Sequence, residues 1–198
     1  GSSSPKGFCN MPDETERVPE KHRTVQNIIR EKENSIRRQP FESAFLYNAQ
    51  GILILSKAGV QYTVEFTREE TSLMKGAILT HNHPRGLEYP DSDIRSWGNS
   101  FSDSDIALAS THELAEIRVV TPKQRFSMKP PAEGWSLSYW EDTLKPTLDE
   151  VEVWVYDEFD ARIAQKRLTP TEAQALHWHE VWLQVARRLG LEYAQEED

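Results

Sequence analysis

Thr80-His81-Asn82-His83-Pro84 closes an apolar run, Ala77, Ile78 and Leu79, and is answered downstream by Ser102-Asp103-Ser104-Asp105-Ile106. Imidazole nitrogens and a carboxylate oxygen are the donors that a catalytic zinc takes, three from the protein with a fourth position left open. Side chains at i and i+2 share one face of an extended segment, so His81 and His83 can converge on one ion at a strand end. Pro84 then stops the ladder, because it has no N–H to give. Ser102 fits the N-cap of a helix beginning near Asp103, and Asp105 three residues on completes a capping box that would hold its carboxylate in the first turn. Each half alone has an ordinary reading: a capped apolar helix, or two solvated imidazoles in a turn. In this order and setting they point together to a metal site.

The elements that must position these groups follow from periodicity. Residues 1–18 are polar, with Pro5, Pro12 and several serines, and read as a flexible arm or linker. Val25, Ile28, Ile29 and Ile36 give an apolar stripe to a helix expected from Pro19 to Arg38. Strands are expected near 42–48, 51–57 and 60–66; in the last, Tyr62, Val64 and Phe66 alternate onto one face and leave Glu65 on the other. Thr67 with Glu70 makes a capping box for a short helix ending at Gly76. A strand at 77–81 delivers the histidines, a helix at 103–114 carries Asp105, and strands near 116–121 and 124–129 close the sheet. This order predicts an α/β chain of the α+β type, a mixed sheet flanked by helices.

After Pro130 and Pro131 the chain turns helical. Residues 136–167 are rich in Trp, Leu, Val and charge, and Thr169, Pro170 and Glu172 open a last helix running to about Leu189. His177 and His179 on that helix point about 200 degrees apart, so they do not share a metal. Trp178, Trp182 and Leu183 read as core or interface, and the acidic end, Glu196 to Asp198, as frayed. The expected division is an arm at 1–18, a sheet domain at 19–131 and a helical extension at 132–198 packed on it.

Composition narrows the classes. The 198 residues carry 32 acidic and 23 basic side chains, a formal net charge of -9, which disfavours general nucleic-acid binding. Arg30, Lys32, Arg37 and Arg38 are interleaved with Glu31 and Glu33 and read as a solvated helix face. Cys9 alone cannot form an internal disulfide, so the fold needs no oxidising compartment. No apolar stretch reaches transmembrane length and the start lacks a signal-peptide core, so a cytoplasmic protein without a membrane partner is expected. Gly1 and Ser2 read as an expression scar.

HxHP followed by SxxD resembles the signature of JAMM (MPN-type) zinc metalloproteases, and the HNHP spelling resembles their RadC-like branch. The layout of KGAILTHNHP, FSDSDIALA and IRVVTPKQRFSMKP is similar to JAMM-like domains of bacteriophage minor head proteins and bacterial polymorphic toxins. The resemblance covers residues 25 to 130 and, more loosely, the helical C-terminus. It implies a cytidine-deaminase-like mixed sheet and zinc-dependent hydrolysis of a peptide or isopeptide bond. His81, His83 and Asp105 would hold Zn2+, Glu42 would be the general base acting on water, and Ser102 would donate to the developing oxyanion. The substrate would be a protein or peptide, ubiquitin-like proteins among the candidates, in a bacterial or phage-encoded setting or as a delivered effector. A phage head-associated or protein-binding module that keeps the fold without turnover is the alternative.

The chain departs from that pattern in one place. The family sets its aspartate a short loop after the second histidine, whereas residues 85 to 100 intervene here and contain their own Asp91-Ser92-Asp93-Ile94. Asp93 therefore competes with Asp105 as third ligand; only the Asp105 copy has serine three residues earlier and runs on into helix. Glu65 competes with Glu42 as base, although its place in an alternating segment reads as solvated. The intervening segment, with Leu87, Tyr89, Ile94 and Trp97, is either a lid over substrate or an idle surface loop.

Overall fold

A parallel pair of strands needs a crossover, and here that crossover builds the site. The structure, a computed structural model, describes residues 23–197. Strand β3 (Ile78–Asn82) runs parallel to β4 (Glu116–Val120), and the chain between them carries helix α3 (Asp103–Thr111). The C-terminal end of β3 and the N-terminal end of α3 are thereby brought to the same edge, where open α/β sheets place ligands.

Around this unit stand β1 (Ser43–Tyr47), antiparallel to β3 and to its hairpin partner β2 (Leu53–Ala58), and β5 (Arg125–Lys129), antiparallel to β4 and to the last strand, β6 (Glu192–Glu196). The six strands form one mixed sheet in the order β2-β1-β3-β4-β5-β6. Helix α1 (Val25–Ile36), capped by Thr24, covers one face; α2 (Arg68–Thr71) is a single turn closed by the Thr67–Glu70 capping box. The C-terminal helical part comprises α4 (Leu137–Tyr139), a π-helical turn over Trp140–Leu144, α5 (Lys145–Ala164) and α6 (Pro170–Leu189). Pro146 explains the π turn: a proline ring clashes with the carbonyl four residues back, and widening the preceding turn relieves it. Gly190, with φ +70°, ends α6.

Side-chain alternation sorts the two faces. Leu79 and His81 share a face with their cross-strand neighbours Leu46 and Ala44, and this face joins one apolar cluster with Ile106 and Ala109 of α3, Leu148, Val151 and Val155 of α5, and Val181, Trp182 and Val185 of α6. The helical extension therefore shares the sheet's core. Thr80 and Arg118 face α1 instead and meet a buried ionic cluster. Arg118, fully buried, donates to Glu33 at 2.9 and 3.2 Å, to Glu116 at 2.9 Å and to Glu196 at 2.8 and 2.9 Å. Burial would raise the Glu196 carboxyl, but Arg118, Arg30 and Ser127 hold it down to about 2.

Four expectations are corrected. Residues 60–66 do not form a strand; they make only an isolated Val60–Thr63 bridge, because the chain doubles back after Gly59 and lays Val64 and Phe66 against the core cluster. Their alternation reflects an apolar wall rather than a ladder. Glu196 is not frayed: its strand pairs with β5, and its carboxylate neutralises Arg118 and Arg30. The α1 bases are not all solvated, since Arg30 binds Glu196 and Arg37 donates to the Thr121 carbonyl at 3.1 Å. The helix expected from Pro19 to Arg38 spans Val25–Ile36 because Thr24 caps it; positions 19–22, like the arm at 1–18 and Asp198, lie outside the described residues. No helix among the described residues is long and apolar enough to cross a membrane.

Candidate metal centre

The strand β3 presents His81 on the core face, and the next residue but one, His83, follows just past the strand with its backbone N–H still bonded to the Val120 carbonyl. Across the crossover, Ser102 caps α3: its hydroxyl accepts from the Asp105 N–H at 3.2 Å, and its own N–H donates to Asp105 Oδ2 at 2.9 Å. The box thus aims one carboxylate oxygen at the histidines. Three donors meet there in a near-equilateral triangle: His81 Nε2 to His83 Nε2 is 3.2 Å, His81 Nε2 to Asp105 Oδ2 is 3.2 Å, and His83 Nε2 to Asp105 Oδ2 is 3.3 Å. This group can hold a metal ion.

Electrostatics follow from the same contacts. Burial alone would raise the Asp105 carboxyl, but His81 and His83 beside it hold it well below the usual carboxylate range. Burial alone would lower His83, yet Asp105, Glu42 and the Asn99 carbonyl together raise it to about 9. Glu42 lies beside the triangle, its Oε1 3.9 Å from His83 Nε2. Desolvation raises its carboxyl, the two histidines oppose that, and Asp105 adds to it. A carboxylate with a raised pKa is a better proton acceptor at neutral pH than an exposed one.

Of the rival residues, Asp93 is not brought to the histidines. It caps the short turn Ile94–Trp97 and is neutralised by Arg95 at 2.6 Å, while Asp91 is exposed and pairs with Lys123. The two turns Arg85–Glu88 and Ile94–Trp97 fold the intervening segment onto itself and carry Asp93 away from the histidines, where Asp105 stands instead. Glu65 is exposed on the wall of the same cavity that Glu42 enters, and only Glu42 has a contact with the triangle.

Three residues that sequence reasoning passed over support the site. Asn82, between the histidines and fully buried, accepts the Ser43 N–H at 2.7 Å and donates to the Phe41 carbonyl at 2.9 Å. It therefore grips the backbone on both sides of Glu42, whose own N–H and carbonyl are bonded to Val60 and Gly59. The Asn99 carbonyl lies 3.0 Å from His83 Nδ1; accepting that N–H leaves Nε2 with its lone pair free for a ligand role. Gly98 makes this possible, with φ +85°, ψ 171° and a backbone pressed so closely on Thr121 that a Cβ would sit 2.5 Å from the threonine Cβ. The segment at 85 to 100 is thus anchored, with the Trp97 carbonyl accepting from Thr121 Oγ1 at 2.5 Å and Lys123 Nζ donating to Ser96 Oγ at 2.8 Å. The buried Asn between two histidines and the Gly-Asn pair were visible signals, but their partners were not. His81 Nδ1, by contrast, is buried without a hydrogen-bond partner among the described residues.

The triangle opens into a cavity of about 1180 Å³ lined by the 62–66 segment and by residues of α3, α5 and α6. Ser102 reaches its surface. His177 also reaches it and contacts Glu152 at 3.2 Å, whereas His179 points away to the Tyr193 hydroxyl at 2.8 Å, so the two are separated as their helical spacing requires. Compared with family models, with curated proteins and with solved structures, the chain finds no match in any of the three.

Proposed function

We propose that this chain is a zinc-dependent metallopeptidase that hydrolyses a peptide or isopeptide bond. The observation that carries the reading is the triangle of donors. A tetrahedral ion with bonds of about 2.0–2.2 Å separates its donors by roughly 3.3–3.6 Å, whereas octahedral Mg2+ at about 2.0–2.1 Å brings adjacent donors to roughly 2.9 Å. Edges of 3.2, 3.2 and 3.3 Å match the first better. Without a cation, two imidazoles donating to the one Oδ2 would face their Nε2 protons toward each other; a cation accepting three lone pairs removes that repulsion. The HxHP and SxxD resemblance to JAMM metalloproteases supports zinc and the hydrolytic class independently.

His81, His83 and Asp105 would hold the ion, leaving a fourth direction open toward the cavity. Zinc supplies a Lewis acid and lowers the pKa of water. Glu42, raised by burial, accepts the proton that water loses and can return it to the departing amine. Asn82 keeps the Glu42 backbone in register with both histidines. Ser102 has used one lone pair on the Asp105 N–H and keeps its hydroxyl proton to donate to a carbonyl oxygen that gains charge.

The test is metal content with cleavage. The purified chain is expected to carry one zinc and to cleave members of a mixed peptide pool read by mass spectrometry. Glu42→Gln is expected to keep the zinc and lose about 10²- to 10⁴-fold in rate. A folded protein that takes up no zinc, or a Glu42→Gln variant as active as the parent, would overturn the proposal.

A further inference from the structure

The cavity has a chemistry of its own beside the metal centre. Helix α3 turns Asp105 and, three residues on, Leu108 to the same wall, so an apolar side chain follows the metal-facing carboxylate by one helical turn. Phe159 and Ile163 of α5 are likewise one turn apart and line the same space, and Trp178 of α6 completes that wall. Val64 and Phe66 also line it. Leu108, Val64, Phe66 and Trp178 pack on the core cluster while staying partly accessible, and Phe159 belongs to the cluster itself. The wall is therefore backed by the core and does not depend on a closing loop.

Charge at the cavity's edge is mostly negative. Glu42, Glu65, Asp105 and Asp160 line it against Arg85, whose guanidinium is stacked 4.4 Å over the Tyr62 ring. An acidic side chain entering here would lose hydration beside carboxylates that outnumber the one guanidinium, Arg85. A glycine next to the scissile bond would leave the apolar wall wet. A large apolar side chain would cover it and remove that surface from water.

We infer that the wall formed by Leu108, Phe159, Ile163 and Trp178 is the subsite for a bulky aliphatic or aromatic side chain flanking the bond to be cleaved, and that the substrate is an extended peptide with such a residue rather than a glycine-ended tail. This rests on the metallopeptidase reading of the same site. At about 1180 Å³ the cavity is roomy enough to take a large side chain beside the histidines.

The test uses probes that anchor on the metal and need no turnover. N-acetyl-amino-acid hydroxamates of glycine, leucine, phenylalanine and aspartate place a side chain on the acyl side; 2-substituted succinyl hydroxamates with the same side chains place it on the amine side. Calorimetry on the zinc-loaded protein is expected to show, in one series, the leucine or phenylalanine probe binding at least about tenfold tighter than the glycine probe, with aspartate weakest. Ile163→Lys, at a half-buried position, is expected to cancel that preference while keeping the zinc and tight binding of the glycine probe; Leu108→Ala is expected to shift preference from leucine toward phenylalanine. Equal binding of all side chains in both series, or a preference that neither substitution moves, would overturn the subsite and leave the metal centre standing. No hydroxamate binding, or no zinc, would overturn the metallopeptidase reading and the subsite with it.

Discussion

Asn82→Ala separates the positioning of Glu42 from the holding of a metal. In the native chain Asn82 accepts the Ser43 N–H at 2.7 Å and donates to the Phe41 carbonyl at 2.9 Å, both where the side chain is fully buried. Alanine leaves both backbone groups unpaired. The Ser43 N–H is buried and costs about 1–3 kcal/mol without a partner, whereas the Phe41 carbonyl is only part-buried and can turn to water, so the variant should lose about 1–3 kcal/mol of stability. The β1–β3 ladder, with Ala44 opposite His81, still holds the strand, so the chain should fold. What it loses is the register of Glu42 relative to His83, and a displacement of about 1 Å at a reacting group costs on the order of 10²-fold in rate. The assay combines urea unfolding, zinc content, and the split between kcat and KM on a cleaved peptide. Lowered stability, retained zinc and a kcat down by about 10²-fold at unchanged KM is the expected outcome. A variant destabilised as above but with native kcat would refute the positioning argument, and a variant without zinc would show that Asn82 serves the ligands rather than the base.

Gly98→Ala should destabilise the chain by about 2–6 kcal/mol, since its backbone region is nearly confined to glycine and its Cβ would strike Thr121; the shift of Asn99 should lower zinc affinity about 10- to 100-fold in a chelator competition. Gly76→Ala, at φ +74° with open space around it, is the control and should leave zinc affinity unchanged. Separate alanine substitutions should abolish zinc binding at Asp105 and leave it intact at Asp93, read by metal analysis after dialysis. In the metal-free protein His83 is raised from 6.5 to about 9, so its stabilising pairing is complete below pH 6.5 and lost as pH rises through about 9. Zinc must displace the same proton, so its affinity should rise about tenfold per pH unit from neutrality toward that value; a flat profile would contradict the pairing. Arg118→Met removes the cation shared by Glu33, Glu116 and Glu196, leaving Arg125 on Glu33 and Arg30 on Glu196, and should cost about 3–5 kcal/mol in urea unfolding.

Local signals were legible wherever the physics is local. Thr67 with Glu70, Ser102 with Asp105, and Thr169 with Glu172 form capping boxes as their spacing requires, because the hydrogen bonds close within one turn. His81 and His83 converge because alternation along an extended segment puts them on one side. The same alternation misled at residues 60–66, where Val64 and Phe66 meet an apolar wall without a strand partner, since periodicity reports which face is dry and not what dries it.

The sequence by itself determined the histidine pair, the caps, the mixed α/β character and the helical C-terminal part, all of which depend on residue type and short spacing. Only the tertiary structure set Asp105 rather than Asp93 beside the histidines, tied Asn82 to both flanks of Glu42, gave His83 the Asn99 carbonyl, set Glu196 against Arg118 and brought Phe159, Ile163 and Trp178 to the cavity that the histidines line. These are contacts between residues far apart in the chain. Which of them form depends on the order of strands and the path of the β3–α3–β4 crossover, and no pattern within a single segment carries that information.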